Sequence, residues 1–220
     1  MTKNLLLCAT AATAMLYAET VPLDVAKLKP TQVKVEAVTF KGRKAVRITD
    51  TAPQTAGDAG RIALVPGMTL LDGTIELELT GDVMPGVGPG ARGFVGLVFR
   101  AKPDLSQFEC FYLRPTNPRS DDQVRRNHSA QYISNPGFPW QLLRDKFPEK
   151  YETYVDLQPG EWTKVKVVVK GDHARLFVHD SAQPTLIVND LKQPVASGLI
   201  GLWIGPGTVA QFDNLRLTRQ

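Results

Sequence analysis

The stretch "GTIELEL", residues 73–79, alternates without a break: Ile75, Leu77 and Leu79 fall on one face, Glu76 and Glu78 on the other. That period of two marks a β-strand with one buried face and one wet face. The same signature recurs on both sides of it. "VKVEAVTF" (33–40) and "KAVRIT" (44–49) flank Lys41-Gly42-Arg43 as a hairpin, and "GFVGLVFR" (93–100) is joined to "FECFYLR" (108–114) by a short polar link. Later come "EWTKVKVVVKGDHARLFVHD" (161–180), two strands about Gly171-Asp172, then "PTLIVND" (184–190), "GLIGLWIG" (198–205) and "VAQFDNLRLT" (209–218). Gly, Pro, Asn and Asp punctuate these runs, and no helical period of useful length interrupts them. About eleven to thirteen short strands with tight turns predict an all-β fold. Two antiparallel sheets would pack face to face as a jelly-roll sandwich, leaving a groove across one of them.

A chain of 220 residues suits one large sandwich domain, expected over residues 19–220. Residues 1–18 read as a secretory signal peptide: Lys3 supplies the positive start, Leu5 to Leu16 the apolar run, and Leu16-Tyr17-Ala18 the cleavage site. Cleavage after Ala14 is the alternative. The apolar run is too short to span a bilayer, so no stable membrane anchor is expected and the product is periplasmic or extracellular. Cys8 follows leucines where a lipoprotein signal needs small residues, which argues against lipidation. Export leaves Cys110 as the lone cysteine, so no intramolecular disulfide can form. Its apolar neighbours predict a buried, inert thiol. The 26 basic and 22 acidic residues leave a formal charge of +4, spread along the chain. The densest basic point, "VRRNH" (124–128), is too short for a nucleic-acid footprint.

Two segments break the strand rhythm. "GDVMPGVGPGARG" (81–93) is a long Gly/Pro-rich loop. Arg119 to Tyr154 has few strand signals, contains Pro136, Pro139 and Pro148, and offers one helical turn in "WQLLRDKF" (140–147). Segments this long in a compact domain are usually functional or covering pieces.

The order of "GTIELEL", "GFVGLVFR", "FECFYLRPTN", "SAQY", "GEWTKVKVVVKGDHARLFV" and "GLIGLWIG…AQFDNLRL" resembles the bacterial secreted concanavalin A-like domains. These are laminin-G-like jelly rolls similar to the 3-keto-disaccharide hydrolase family. The likeness runs from about Leu71 to Thr218 and implies the sandwich fold with a saccharide or glycan as partner. Activity is not implied, because that superfamily mixes glycosidases, lectins and structural modules. "DDQVRRNHSAQYISNPGFPW" (121–140) has no counterpart in the general pattern.

The strand "FECFYLR" places Phe108, Cys110, Tyr112 and Arg114 on one face and Glu109, Phe111 and Leu113 on the other. Phe111 and Leu113 read as core. Tyr112 and Arg114 then face the groove, with Arg100 nearby if the neighbouring strand pairs, and Glu109 is left undecided. Sugar sites need planar hydrogen-bonding groups and aromatic faces. Asn117, Arg125, Gln131, Tyr132 and Trp140 supply them next to this strand. His128 is the candidate general acid or base, with Glu109 as a possible carboxylate partner.

No His pair has zinc spacing, and no cofactor is expected. A structural calcium could use Asp213, with Asn214, and an N-terminal acid such as Asp24. The E-x-D-x-x-E strand of laminarinase-type jelly rolls is absent, and solvation of an edge strand explains Glu76 and Glu78. Trp162 and Trp203, inside regular strands, read as core. Three functions stay open: a saccharide-binding domain, a glycoside hydrolase or lyase acting on 3-keto or ordinary glycosides, and a structural or adhesion module.

Overall fold

The computed structural model describes residues 17–52 and 60–220. The expected signal peptide, apart from Tyr17 and Ala18, lies outside the described residues. In chain order the strands are β1 (Glu19–Thr20), β2 (Lys29–Thr31), β3 (Val33–Phe40), β4 (Arg43–Asp50) and β5 (Ile62–Leu70). There follow β6 (Gly73–Val83), β7 (Val95–Ala101), β8 (Phe108–Leu113), β9 (Ala130–Asn135) and β10 (Glu152–Thr153). The last are β11 (Thr163–Lys170), β12 (His173–Val178), β13 (Leu186–Val188), β14 (Gly198–Ile204) and β15 (Thr208–Arg219). Two short helices, α1 (Gln123–Asn127) and α2 (Trp140–Lys146), lie between β8 and β10.

The strands form two antiparallel sheets. One runs β13-β12-β11-β6-β15-β4-β3, with β1 pairing the far part of β15; the other runs β10-β9-β8-β7-β14-β5-β2. This is the expected jelly-roll sandwich. The β3–β4 hairpin turns on Lys41 (φ 48°) and Gly42 (φ 76°), with Phe40 opposite Arg43. Positive φ at both central residues gives the two-residue turn whose twist matches the strands.

Ile75, Leu77 and Leu79 of β6 point inward beside Val165, Val167 and Val169 of β11, all nearly inaccessible. Each such side chain contributes about 1.5–3 kcal/mol on leaving water. Glu76 and Glu78 point outward as expected, but β6 lies between β11 and β15 and is not an edge strand. Glu78 is held instead by Arg43.

The segment 119–154 departs most from the sequence reading. It contains β9, a fully integrated strand between β8 and β10, with five of its six residues buried. The described residues hold fifteen strands, more than expected, and β9 and the two-residue pieces account for the excess. "WQLLRDKF" does become a helix, α2, which packs on β9.

Candidate functional site

The register of β8 separates its two faces. Phe111 lies between Leu97 of β7 and Tyr132 of β9, and Glu109 between Phe99 and Ser134. This row faces the other sheet. The opposite row, Cys110 and Tyr112, continues into Arg114 on the outer face. Tyr112 stands directly across from Gly96 of β7, and Gly96 from Trp203 of β14. A Cβ at Gly96 would lie 2.1 Å from the Phe111 carbonyl oxygen and 2.6 Å from Tyr112 Cβ. The missing side chain lets the Tyr112 and Trp203 rings close over the middle strand, with centroids 4.7 Å apart and planes tilted by 33°.

This aromatic pair floors a cavity of about 680 Å³ on the outer face of the second sheet. The Gly/Pro loop before β7 forms one wall through Gly88, Arg92 and Phe94, and α1 and α2 form the other through Arg125, Trp140 and Arg144. The volume lies within the usual range for small-ligand sites. A smaller depression of about 220 Å³ on the first sheet is lined mainly by charged side chains, among them Glu78, held by Arg43, and Lys164, held by Asp180, and has a single ring, Phe177.

Arg114 organises the cavity. Its guanidinium donates to Tyr112 Oη at 2.7 Å, Gln131 Oε1 at 3.2 Å and the His128 carbonyl at 3.0 Å. Asn117 Nδ2 donates to the same carbonyl at 2.7 Å, and Asn117 Oδ1 accepts from Arg125 Nε at 3.2 Å. Asp122 caps α1, accepting from the Val124 and Arg125 amides at 2.9 and 3.3 Å, which fixes where Arg125 starts. Behind this wall Glu152 is buried and receives both ends of Arg144, Nε at 2.8 Å and Nη2 at 2.6 Å. His128 Nε2 lies 3.4 Å from Glu152 Oε1. Burial pulls the imidazole below its ordinary value of 6.5; Glu152 opposes this, while Arg144 and Arg114 add to it. In its neutral form the imidazole offers one ring nitrogen as an acceptor for a ligand hydroxyl.

Of the residues singled out in the sequence, Tyr112, Arg114, Asn117, Arg125, His128 and Trp140 converge on this cavity. The others lie elsewhere. Glu109 points into the core, where it accepts from Tyr132 Oη at 2.6 Å and the Gln193 amide at 2.9 Å, so neither Glu109 nor Tyr132 reaches the cavity. Register explains this, since both belong to the inward row. Arg100, next to last in β7, donates to the Leu71 carbonyl and, at 3.0 Å, to Asp72. Gln131 is buried beneath Arg114 and gives its amide to the Tyr132 and Tyr151 carbonyls.

The two acids suggested for calcium have separate partners. Asp213 takes Arg43 at 2.9 Å, and Asp24 takes the Ala26 amide at 3.0 Å. Among the described residues no three His, Cys, Asp or Glu side chains gather to hold a metal.

Sequence reasoning missed Trp203, Arg92, Phe94, Arg144 and Glu152. Trp203 is core by burial, at 1% exposure, yet it also floors the cavity. The signal that could have found it was the pairing of β7 with both β8 and β14 through a glycine.

No protein-family model matches the chain, so the resemblance to the 3-keto-disaccharide hydrolases gains no support from one. No curated protein sequence matches it either. Solved structures do. A Bacillus subtilis protein of unknown function with a galectin-like fold aligns with a TM-score of 0.56 and 12% identity, covering 93% of this chain and 96% of that one. The carbohydrate-binding module CBM66 from Bacillus subtilis gives 0.51 and 14%, over 84% and 94% of the two chains. A glycosyl-hydrolase candidate from Parabacteroides distasonis gives 0.50 and 9%, over 89% of each. Likeness at this identity speaks to architecture. By fold, the chain is a jelly-roll β-sandwich of the kind these galectin-like and carbohydrate-binding domains share.

Proposed function

We propose that the protein is an exported domain that binds a saccharide in the cavity over Tyr112 and Trp203. The observation that carries this is the lining itself. Half-buried Phe94 and Trp140 flank a floor of two rings, and Asn117, Arg125 and His128 stand around them. Ring faces cover the apolar side of a sugar, while planar donors and acceptors read its hydroxyls. The fold shared with a carbohydrate-binding module supports the reading. Glycan-array screening followed by calorimetry tests it. Wild type should bind at least one saccharide, and Trp140→Ala should weaken that binding about tenfold, the loss expected for one ring contact. Absence of binding to any glycan would leave the structural or adhesion reading in its place.

One observation favours a second reading, glycoside hydrolysis: His128 sits in the cavity with Glu152 behind its ring. Against it, Asp122 is the one carboxylate on the lining among the described residues, and it is occupied as a helix cap. Hydrolysis of a glycosidic bond ordinarily takes two facing carboxylates. Product analysis decides. An enzyme would lose roughly 10²–10⁴ in rate in His128→Ala with little change in binding.

A further inference from the structure

Four guanidiniums border the cavity: Arg92, Arg114, Arg125 and Arg144. Their acidic partners are unevenly shared. Glu152 takes both ends of Arg144 and lies 4.0 Å from Arg114. Asp122 is committed to amides of α1. Arg92 and Arg125 have no carboxylate at ion-pairing distance among the described residues. Among the described residues Arg92 bonds only carbonyl oxygens through Nη1, those of Pro89 and Ala91, and Nε and Nη2 have no acceptor there. Arg125 uses Nε on Asn117 and Nη2 on the Thr116 hydroxyl at 3.1 Å, leaving Nη1. The same hydroxyl lies 3.4 Å from the Arg92 carbonyl, so Thr116 ties the two arginines to one corner. Burial pulls the Arg92 guanidinium below its ordinary value, and the charges of Arg125 and Arg114 push it further down. A neutral sugar would leave this repulsion standing, whereas an anion would relieve it.

We infer that the ligand is an anionic saccharide whose carboxylate or sulfate lies between Arg92 and Arg125, at the edge of the aromatic floor. This rests on the saccharide reading and names its chemical class. Planar guanidinium forks match the paired oxygens of carboxylate and sulfate, and they do so best where water is partly excluded. The sugar ring then lies toward Phe94 and Trp140, with His128 available to a hydroxyl.

The test is calorimetry on the full chain with a panel of uronic-acid oligosaccharides, each beside its methyl ester, and of sulfated oligosaccharides, each beside its desulfated form. Inorganic sulfate serves as the control for charge alone. At least one charged form should bind about tenfold or more tightly than its neutral counterpart, with a gap that narrows as salt rises. Which arm shows the gap identifies the anion. Arg92→Gln and Arg125→Gln should each cost the charged ligand about ten- to a hundredfold and cost its neutral counterpart less, so that the gap between the two forms shrinks in both variants. Arg92→Lys should recover part of the loss. Thermal melts verify that the variants fold.

Equal affinity for charged and neutral forms would overturn the inference and leave saccharide binding intact. A preference that survives in both glutamine variants would overturn the placement between these arginines. Sulfate binding as tightly as every oligosaccharide would overturn the inference by reducing the corner to a general anion site. Failure of every saccharide, charged or neutral, would remove the underlying reading as well.

Discussion

Tyr132 Oη donates to Glu109 Oε2 at 2.6 Å inside the core, and both groups are fastened to the chain that joins the two sheets. The Lys192 amide donates to Tyr132 Oη and the Gln193 amide to Glu109 Oε1, each at 2.9 Å. Burial pushes the Glu109 carboxyl above its ordinary value, and these donors pull it back. Tyr132→Phe removes a donor from a buried acid and should destabilise the protein by about 1–3 kcal/mol. Urea unfolding measures this. Saccharide affinity should hold, because the pair lies on the opposite face of the sheet from the cavity; a large affinity loss in a folded variant would contradict that arrangement.

Cys110 is fully buried on the outer row of β8, and burial, with the nearby Glu109 charge, raises its thiol well above the ordinary value. A buried thiol of this kind is inert. Native protein should resist a thiol reagent for hours and react stoichiometrically once unfolded. Rapid labelling of folded protein would show that the covering segment does not close over this strand.

Asp190 Oδ2 accepts from Tyr151 Oη at 2.6 Å and from Lys150 and Lys192 at 2.8 Å each. Burial alone would raise this carboxyl, but the three donors prevail and bring it from 3.8 down to about 2. A depressed carboxylate contributes stability that is complete above its unfolded value and fades as pH falls through its folded one. Melting temperatures of wild type and Asp190→Asn should therefore differ near pH 5 and converge near pH 2. A constant gap across that range would mean that Asp190 ionisation contributes nothing.

Gly96 admits no side chain. Gly96→Ala would place a methyl 2.1 Å from a backbone oxygen, so the strands must part. A loss of about 1–3 kcal/mol is expected, together with weakened binding, because the Tyr112–Trp203 contact is built across this gap. Near-ultraviolet circular dichroism reads that contact directly. An unchanged spectrum with full stability would refute the account.

How much of this was legible depended on where water lies. In β6 and β11 one face is wet, so alternation showed through and fixed the sandwich. Both faces of β9 are covered. Its inward Ala130, Tyr132 and Ser134 and outward Gln131 and Ile133 carry mixed chemistry, and the period disappeared. Glu109 could not be assigned because its decisive partner sits 23 residues away on another strand. Asn117, Arg125, His128 and Trp140 were legible as a dense polar and aromatic cluster in one segment. Arg92 was hidden in a loop whose glycines and prolines spoke only of turns, and its role depends on Thr116 holding it beside Arg125.

The segment from Arg114 to Glu152 supplies most of one wall from a single unbroken length of chain, while the floor belongs to strands that the sandwich needs anyway. Inheritance can therefore act on the two almost separately. One recombination event spanning that stretch would exchange most of that wall at once, on condition that the incoming β9 still offers a tyrosine to Glu109. Drift in the floor has no such freedom: Gly96, Tyr112 and Trp203 come from three separate places in the gene, and a larger residue at any one must be answered at the other two.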